Sequence, residues 1–267
     1  MPNALLHRWI DHTERRALYW WQPKDGRTNM GDQLSQVIVS RVLSLRDFAL
    51  MDKAANGQRL FAIGSVLHFA RTGDTVWGSG INGKIAASQH QFGMLDVRAV
   101  RGPRTREYLL GRGIPVPEVY GDPGLLMPLF FPAELLGPSE PRDVVVVPHF
   151  NEPLDKYRDF AGMLVTPDCP PVTFMRRLLG ARLVVSSSLH GLILAEAYGI
   201  PSVYLDWGNG EDRFKYDDYY LGTGRSQWHA GTSVAECIAL GGNGDFDLAA
   251  VQAGLLAAFP YDLWDSP

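Results

Sequence analysis

The chain has 267 residues, of which 46% are hydrophobic and 20% charged, so it can bury a large core as one large domain or two smaller ones. Its 25 lysines and arginines against 29 aspartates and glutamates give a formal net charge of -4, which argues against a nucleic acid partner because polyanion binding requires a basic excess. Its two cysteines, Cys169 and Cys237, lie in no metal-ligand or Cys-x-x-Cys spacing, so we expect no bound metal. No window approaches the ~20 apolar residues of a membrane span, and the first residues lack the apolar core of a signal peptide. The sequence therefore predicts a cytoplasmic protein.

The first predicted element is an amphipathic helix over residues 5–17. Leu5, Trp9 and Ile10 fall on one face of this helix, and its charged residues lie on the others. Two interpretations stay open. The helix docks on its own domain, or it rests on the cytoplasmic face of the inner membrane.

The first half of the chain repeats a short strand followed by a glycine-containing loop. Strands are predicted at 18–21, 60–65, 75–80, 97–100 and 118–123. Helices are predicted at 33–45 and from Pro103 to about Gly111 or Gly113. This order is typical of βαβ units, in which functional loops follow the carboxyl ends of parallel strands.

A stretch rich in proline, glycine and charge lies between Phe131 and Arg142. It predicts a domain boundary, with domains at 1–137 and 142–267. After the apolar run 144–147, the second domain is predicted to contain a helix at 172–179, a strand at 183–186, a helix at 190–198 and a strand at 202–205. The fold class is therefore α/β, with right-handed crossovers.

Residues 186–191 lie where a predicted strand passes into a helix. The N–H groups and positive dipole end of a helix start suit a phosphate or carboxylate, and Ser187 and Ser188 add hydroxyl donors. His190 at this position is suited to proton transfer near neutral pH. The alternative is a capping serine beside a half-buried histidine. A serine hydrolase is disfavoured because no Gly-x-Ser-x-Gly elbow is present.

Other candidate side chains follow other predicted strands. Arg101 and Arg104 carry guanidinium groups that match carboxylate or phosphate, although either could be a surface arginine beside a turn. Asn29, Asp32 and Asp122 lie in loops after strands, where each could instead be a cap or a turn residue. Asp32 is the preferred base because a flexible glycine precedes it at the mouth of the first domain.

Residues 211–220 mix both charges with aromatic residues just after a predicted strand. Such a loop could stack a sugar ring on an aromatic face and bind its hydroxyls, with Arg213 and Lys215 as candidate substrate-binding residues. The alternative is a solvated loop.

These segments, taken in order, resemble the polysaccharide pyruvyltransferase family. The resemblance rests on Asn29-x-Gly31-Asp32, glycine loops at 64–65 and 78–80, Arg101-Gly102-Pro103-x-Thr105, Gly121-Asp122-Pro123 and Ser-x-Leu189-His190-Gly191. The set is specific because its members occur in the same order from about Tyr19 to Leu205. Residues 206–216 are also similar to the ketal pyruvyltransferases of xanthan-type exopolysaccharide assembly.

The resemblance implies two Rossmann-like domains in a glycosyltransferase-B-like arrangement, with the acceptor bound by 1–137 and the donor by 142–267. It implies phosphoenolpyruvate as the donor substrate, with no cofactor, and a polyprenyl-diphosphate-linked oligosaccharide ending in a sugar such as mannose as the acceptor. By the resemblance, His190 would be the general acid and Arg101 a donor-binding residue, and Asp32 is the base favoured by its own position. The remaining candidates for substrate binding are Asn29, Gly80, Arg104, Asp122, Ser187, Ser188, Arg213 and Lys215.

One position departs from the family pattern. Many relatives carry arginine immediately before the Leu-His pair, where this chain has Ser188. If that arginine binds the donor, then Arg101, Arg104, Arg213 or Lys215 must replace it here, and the sequence does not choose among the four.

Two other functions stay open at this stage. A glycosyltransferase that uses a nucleotide sugar would share the two-domain layout, because a fold does not fix a function. The chain could also be a non-catalytic partner in envelope-polysaccharide assembly.

Overall fold

Two parallel sheets organise the protein. The computed structural model describes residues 17–50, 58–137, 140–208 and 210–264, so nearly all of the predicted helix at 5–17 lies outside the described residues. The first sheet pairs β1 (Leu18–Tyr19), β2 (Leu60–Phe61), β3 (Thr75–Trp77) and β4 (Asp96–Ala99) in chain order. The second pairs β5 (Arg142–Val147), β6 (Ala181–Ser186), β7 (Ser202–Leu205) and β8 (Ala230–Gly231) in the same way. Every neighbouring pair is parallel, in agreement with the predicted α/β class.

Helices connect and cover these strands. They are α1 (Met30–Ser44), α2 (Pro103–Leu110), α3 (Met127–Phe130), α4 (Ala133–Leu136), α5 (Pro171–Leu178), α6 (Leu189–Ala197), α7 (Phe214–Gly222), α8 (Val234–Leu240) and α9 (Leu248–Ala257). The 3-10 segments include Leu67–Phe69, Pro123–Leu126 and Leu154–Met163, and the last of these is interrupted at Phe160. None of the helices in the described ranges has the length and apolar character needed to cross a membrane.

Two predicted loops are helical in the structure. Helix α1 begins at Met30, not at Gln33, because the Asn29 side chain caps it by accepting a hydrogen bond from the Gly31 N–H at 3.2 Å. Asp32 therefore lies in the first turn of a helix. Most of the predicted loop at 211–220 forms α7, because Tyr216, Tyr219 and Tyr220 recur at helical spacing and are all buried.

The end of the chain returns to the first sheet. The Trp77 Nε1 atom on β3 donates a hydrogen bond to the Leu255 carbonyl oxygen at 2.8 Å, and the Trp77 ring meets the Phe259 ring edge-on at 4.8 Å. Arg98 on β4 pairs with Asp262 at 2.7 Å. The residues from α9 onward thus pack on the first half of the chain, although the predicted boundary assigns them to 142–267. That boundary stays a prediction.

A buried ion pair joins the end of β4 to α7. The Arg101 guanidinium and the Asp218 carboxylate meet at 3.1 Å, and both side chains are fully buried. The backbones touch at the same place, since a Cβ on Gly102 would lie 1.8 Å from the Asp218 carbonyl oxygen and one on Gly222 would lie 2.2 Å from the Arg101 carbonyl oxygen. The two glycines therefore permit the contact that brings Arg101 to its carboxylate.

Asp218→Ala is expected to lower the free energy of unfolding by about 3–5 kcal/mol, because it leaves the Arg101 guanidinium buried without a counter-charge. The matched control is Arg104→Ala, which removes the neighbouring, partly exposed pair of Arg104 on α2 with Asp217 on α7 and should cost about 0–1 kcal/mol. Urea denaturation followed by circular dichroism measures both values. Equal losses for the two variants would contradict the proposed importance of the buried pair.

Candidate active site

A cleft of about 330 Å³ lies where the carboxyl ends of the two sheets meet. In the first half its walls come from segments that follow β1, β2 and β3, and in the second half from segments that follow β5, β6 and β7. Parallel sheets place their binding loops at this edge. The polar residues that line the cleft are Asn29, Asp32, Ser65, His68, Asn82, Lys84, His149, Asn151, Ser188, His190, Glu211 and Lys215.

The start of α6 presents His190 to the cleft. A Cβ on Gly191 would lie 2.4 Å from the Ser186 Oγ atom, so glycine allows the helix to begin directly above the end of β6. Ser186 ties down the turn, because its Oγ accepts the Ser188 N–H at 3.0 Å. The Ser188 side chain makes no capping bond to α6 and lines the cleft. The helix start therefore offers a hydroxyl and backbone N–H groups to a bound anion.

The His190 ring lies between two acidic side chains. Its Nε2 atom is 3.5 Å from Oδ2 of Asp122, which is fully buried. Its Nδ1 edge packs on Gly31, where a Cβ would lie only 2.3 Å from Nδ1. Glycine at position 31 thus makes room for the imidazole.

Asp32 is the second acid near His190. Its Oδ2 atom accepts a hydrogen bond from Asn29 Nδ2 at 2.6 Å. Burial raises the pKa of Asp32 to about 7, against the opposing charges of His190 and Lys215. A carboxyl group with this pKa can gain or lose a proton near neutral pH, as a general base requires.

A cluster of charges, Lys84, His149, Glu211 and Lys215, forms another part of the cleft lining. The Glu211 carboxylate pairs with Lys215 and with Lys84, and lies 3.8 Å from the His149 Nε2 atom. Burial alone would raise the pKa of Glu211, but Lys215 and His149 lower it to about 2. Burial lowers the pKa of Lys215, an effect that Glu211 opposes. Burial, together with the charge of Lys215, lowers the pKa of His149 to about 4, so this imidazole is neutral at pH 7.

A buried network of hydrogen bonds supports the loop that carries His149. The Ser187 hydroxyl donates to Glu152 and accepts the His149 N–H at 2.8 Å. Glu152 also accepts hydrogen bonds from Tyr157 and Trp207. Ser187 therefore lies behind the cleft wall, where it supports the loop that carries His149.

The structure brings together five of the predicted site residues in the cleft lining: Asn29, Asp32, Ser188, His190 and Lys215. Asp122 touches the site through His190. Arg104 instead pairs with Asp217 at 3.1 Å, and Arg213 lies 3.8 Å from Asp206 and over the Trp228 ring. Neither arginine lines the cleft.

Arg101 and Gly80 also lie outside the cleft lining. The Arg101 guanidinium is surrounded by Asp218, the Ser65 hydroxyl at 2.6 Å and the Ile81 carbonyl oxygen at 2.8 Å. Gly80 packs beneath it, since a Cβ there would lie 2.5 Å from Arg101 Cζ. Of these three hydrogen-bond partners within the described residues, Ser65 is the one that lines the cleft, and the predicted contact of Arg101 with the donor stays a prediction.

Sequence reasoning missed several lining residues, chiefly Lys84, His149 and the aromatic residues Trp21, Phe69 and Phe150. Each follows a strand of one of the two sheets, and this position was the available signal. As for metals, no three His, Cys, Asp or Glu side chains converge as ligands within the residues that the structure describes.

The raised pKa of Asp32 predicts a pH-dependent cost in stability. Between pH 4 and pH 7 the folded protein keeps a proton on Asp32 that the unfolded chain, with an ordinary value of 3.8, has lost. This group therefore lowers the free energy of unfolding by up to about 1.4 kcal/mol for each pH unit across that window. Asp32→Asn should be more stable than the wild type at pH 8, and the difference should shrink towards pH 4. Parallel stability curves in urea titrations at pH 4–8 would contradict this expectation.

Comparisons with known proteins agree with the resemblance drawn from the motifs. No solved structure matches the chain. Uncharacterized protein L143 of Acanthamoeba polyphaga mimivirus is 24% identical over 92% of this chain and 89% of its own length. Succinoglycan biosynthesis protein ExoV of Rhizobium meliloti (strain 1021) is 26% identical over 75% of this chain, which spans 63% of that relative. The family described as "Polysaccharide pyruvyl transferase" matches residues 52–209, more than half of the chain. The chain belongs to the polysaccharide pyruvyl transferase family.

Proposed function

We propose that the protein transfers the pyruvyl (1-carboxyethylidene) group of phosphoenolpyruvate to two hydroxyls of a terminal sugar, forming a pyruvate ketal and releasing phosphate. The acceptor is a lipid-linked repeat unit of an exopolysaccharide, with mannose as the expected terminal sugar. Family membership supports a transferase that acts in polysaccharide synthesis, and the similarity to a succinoglycan biosynthesis protein supports an exopolysaccharide product. The observation that carries the proposal is the convergence of His190, Asp32 and Lys215 at the start of α6.

The donor has two anionic groups, a carboxylate and a phosphate. The N-terminus of α6 and the Ser188 hydroxyl suit one of them. Among the four basic residues that could replace the arginine of many relatives, Lys215 lines the cleft, whereas Arg101, Arg104 and Arg213 do not. Lys215 is therefore the proposed replacement, with Lys84 as a second cation on the same wall.

The chemistry follows from the enol phosphate. A proton from His190 adds to the methylene carbon by means of the electron pair of the carbon–carbon double bond, which leaves an oxocarbenium-like carbon. A sugar hydroxyl attacks this carbon and gives its proton to the His190 imidazole, which restores the ring. Phosphate then leaves with the electrons of its carbon–oxygen bond, and a second hydroxyl attacks and gives its proton to Asp32. Cations and the helix start stabilise the charge of the departing phosphate.

The acceptor sugar would bind on the aromatic side of the cleft. Trp21 and Phe150 come from different halves of the chain, and their ring centroids lie 6.3 Å apart at 81°. Phe69 is a further lining residue and is 40% exposed. Aromatic faces of this kind hold the apolar face of a sugar ring, while Asn82 and Asn151 could bind its hydroxyls. A lipid-linked acceptor would place the protein at the cytoplasmic face of the inner membrane.

The first test measures inorganic phosphate released from phosphoenolpyruvate, with and without a lipid-linked oligosaccharide fraction. Wild type should release phosphate only when the acceptor is present, and His190→Ala should lose about 10²–10⁴-fold in rate because it lacks the general acid. A wild type that releases no phosphate, and that is protected against heat by a nucleoside diphosphate but not by phosphoenolpyruvate, would favour a nucleotide-sugar glycosyltransferase instead.

Lys215→Met is expected to raise the KM for phosphoenolpyruvate about 10–100-fold, because a charge-assisted contact with the donor is lost and the Glu211 carboxylate is left less neutralised in the cleft. The control is Lys156→Met, which removes an exposed lysine on the 3-10 segment after β5. Steady-state phosphate release measures both constants. An unchanged KM in Lys215→Met would exclude Lys215 as the replacement cation.

A further inference from the structure

We infer that Asp122 is a positioning residue for His190: its carboxylate accepts the proton of Nε2, so that Nδ1 is the nitrogen that exchanges a proton with the substrate. The inference rests on the proposed function for the identity of that substrate, but the pairing itself is a property of the free protein.

The two atoms that face each other have no other partner. His190 Nε2 and Asp122 Oδ2 are both buried and lie 3.5 Å apart, and neither makes a hydrogen bond within the described residues. A buried imidazole nitrogen and a buried carboxylate oxygen each need a partner, because leaving either one unpaired is costly. At 3.5 Å they are at the outer limit of a hydrogen bond, which is common for catalytic pairs before substrate binds.

The orientation of the ring follows from this contact. His190 lines the cleft, and its Nε2 edge is the buried one. Nδ1 is therefore the nitrogen on the cleft side, above Gly31. A neutral ring that donates from Nε2 to Asp122 carries its lone pair on Nδ1, and the doubly protonated ring presents an acidic Nδ1–H to the cleft.

The Asp122 carboxylate is fixed by its other oxygen. Oδ1 accepts the Gly124 N–H at 2.9 Å and so caps the 3-10 turn Pro123–Leu126. The turn is packed tightly, since a Cβ on Gly78 would lie 2.3 Å from Pro123 Cδ. With Oδ1 held by the turn, Oδ2 is directed at His190. Asp122 can therefore be a turn residue and a partner of His190 at the same time, because each role uses a different oxygen of its carboxylate.

The charged groups around His190 agree with these separate roles of Nε2 and Nδ1. Asp122 faces the ring from the turn at Pro123 and Asp32 from α1, and the charge of Lys215 on α7 acts on Asp32. A carboxylate at Nε2 stabilises the protonated ring. During transfer the Nδ1–H bond breaks, its electron pair stays on Nδ1, and the proton adds to the methylene carbon, while the other proton stays on Nε2 and is donated to the Asp122 carboxylate. A sugar hydroxyl that gives its proton to Nδ1 restores the ring.

The test is Asp122→Asn, which the geometry makes informative. Because the Gly124 N–H holds the oxygen of the side chain, the new amide N–H₂ must face Nε2 and donate to it. The neutral ring then has to carry its proton on Nδ1. The expected result is a switch of the His190 tautomer, read from ¹⁵N chemical shifts of labelled histidine and assigned with His190→Gln. The same replacement in a serine protease triad costs about 10⁴-fold in kcat, and here kcat should fall about 10²–10⁴-fold with little change in the KM for phosphoenolpyruvate.

The outcomes separate this inference from the proposed function. A wild-type spectrum in which the neutral His190 ring carries its proton on Nδ1 overturns the inference without any variant. An Asp122→Asn protein that keeps the wild-type tautomer and kcat also overturns it, and shows that Asp122 serves only the turn. A tautomer switch in a protein whose wild type releases no phosphate supports the pairing and rejects the proposed function.

Discussion

The geometry of the cleft depends on the fully buried contact between Arg101 and Asp218. Arg101 lies two residues after β4, the last strand of the first sheet, and Asp218 belongs to the helix that follows β7 of the second sheet, so this ion pair holds the carboxyl edges of the two sheets together. The same guanidinium binds Ser65 and the Ile81 carbonyl, which belong to the loops that follow β2 and β3. Charge buried in this way is costly unless every polar group is paired, and here Thr105 completes the set by donating to Asp218 at 2.6 Å. The Arg101-Gly102-Pro103 motif therefore has a structural role, because it joins the first half of the protein to α7.

Within this cleft, burial has different outcomes for the pKa values of two acids. It raises the pKa of Asp32 to about 7, so that this acid can give up or take a proton at neutral pH. Glu211 stays ionised because Lys84 and Lys215 pair with it. The cleft thus combines a group that exchanges protons at neutral pH with a group that stays charged. An enol phosphate that must be protonated at carbon while its anionic groups are held suits this combination.

Local signals in the sequence were enough to predict the core of the site. The predicted passage from strand to helix singled out Ser188 and His190, and the glycine before Asp32 singled out that acid. The parallel sheets bring these three side chains to one edge. The structural role of Arg101 could not be predicted from local signals, because its partner Asp218 is 117 residues away in the chain. Hydrophobic periodicity does not identify pairs of residues at such a separation. His149 and Lys84 were missed for a similar reason. A polar residue after a strand is common, and what distinguishes these two is their shared neighbour Glu211.

The return of the last helix to the first sheet has a consequence for how the protein is made. The indole N–H of Trp77 in β3 bonds to the backbone of Leu255, and α9 packs so closely on Gly121 that a Cβ there would lie 2.7 Å from Val251 Cγ1. The first sheet is synthesised before these partners and lacks this covering layer until α9 has been made. Before then Trp77 has neither the Leu255 carbonyl oxygen nor the Phe259 ring, so the first sheet cannot complete its native packing until α9 is in place.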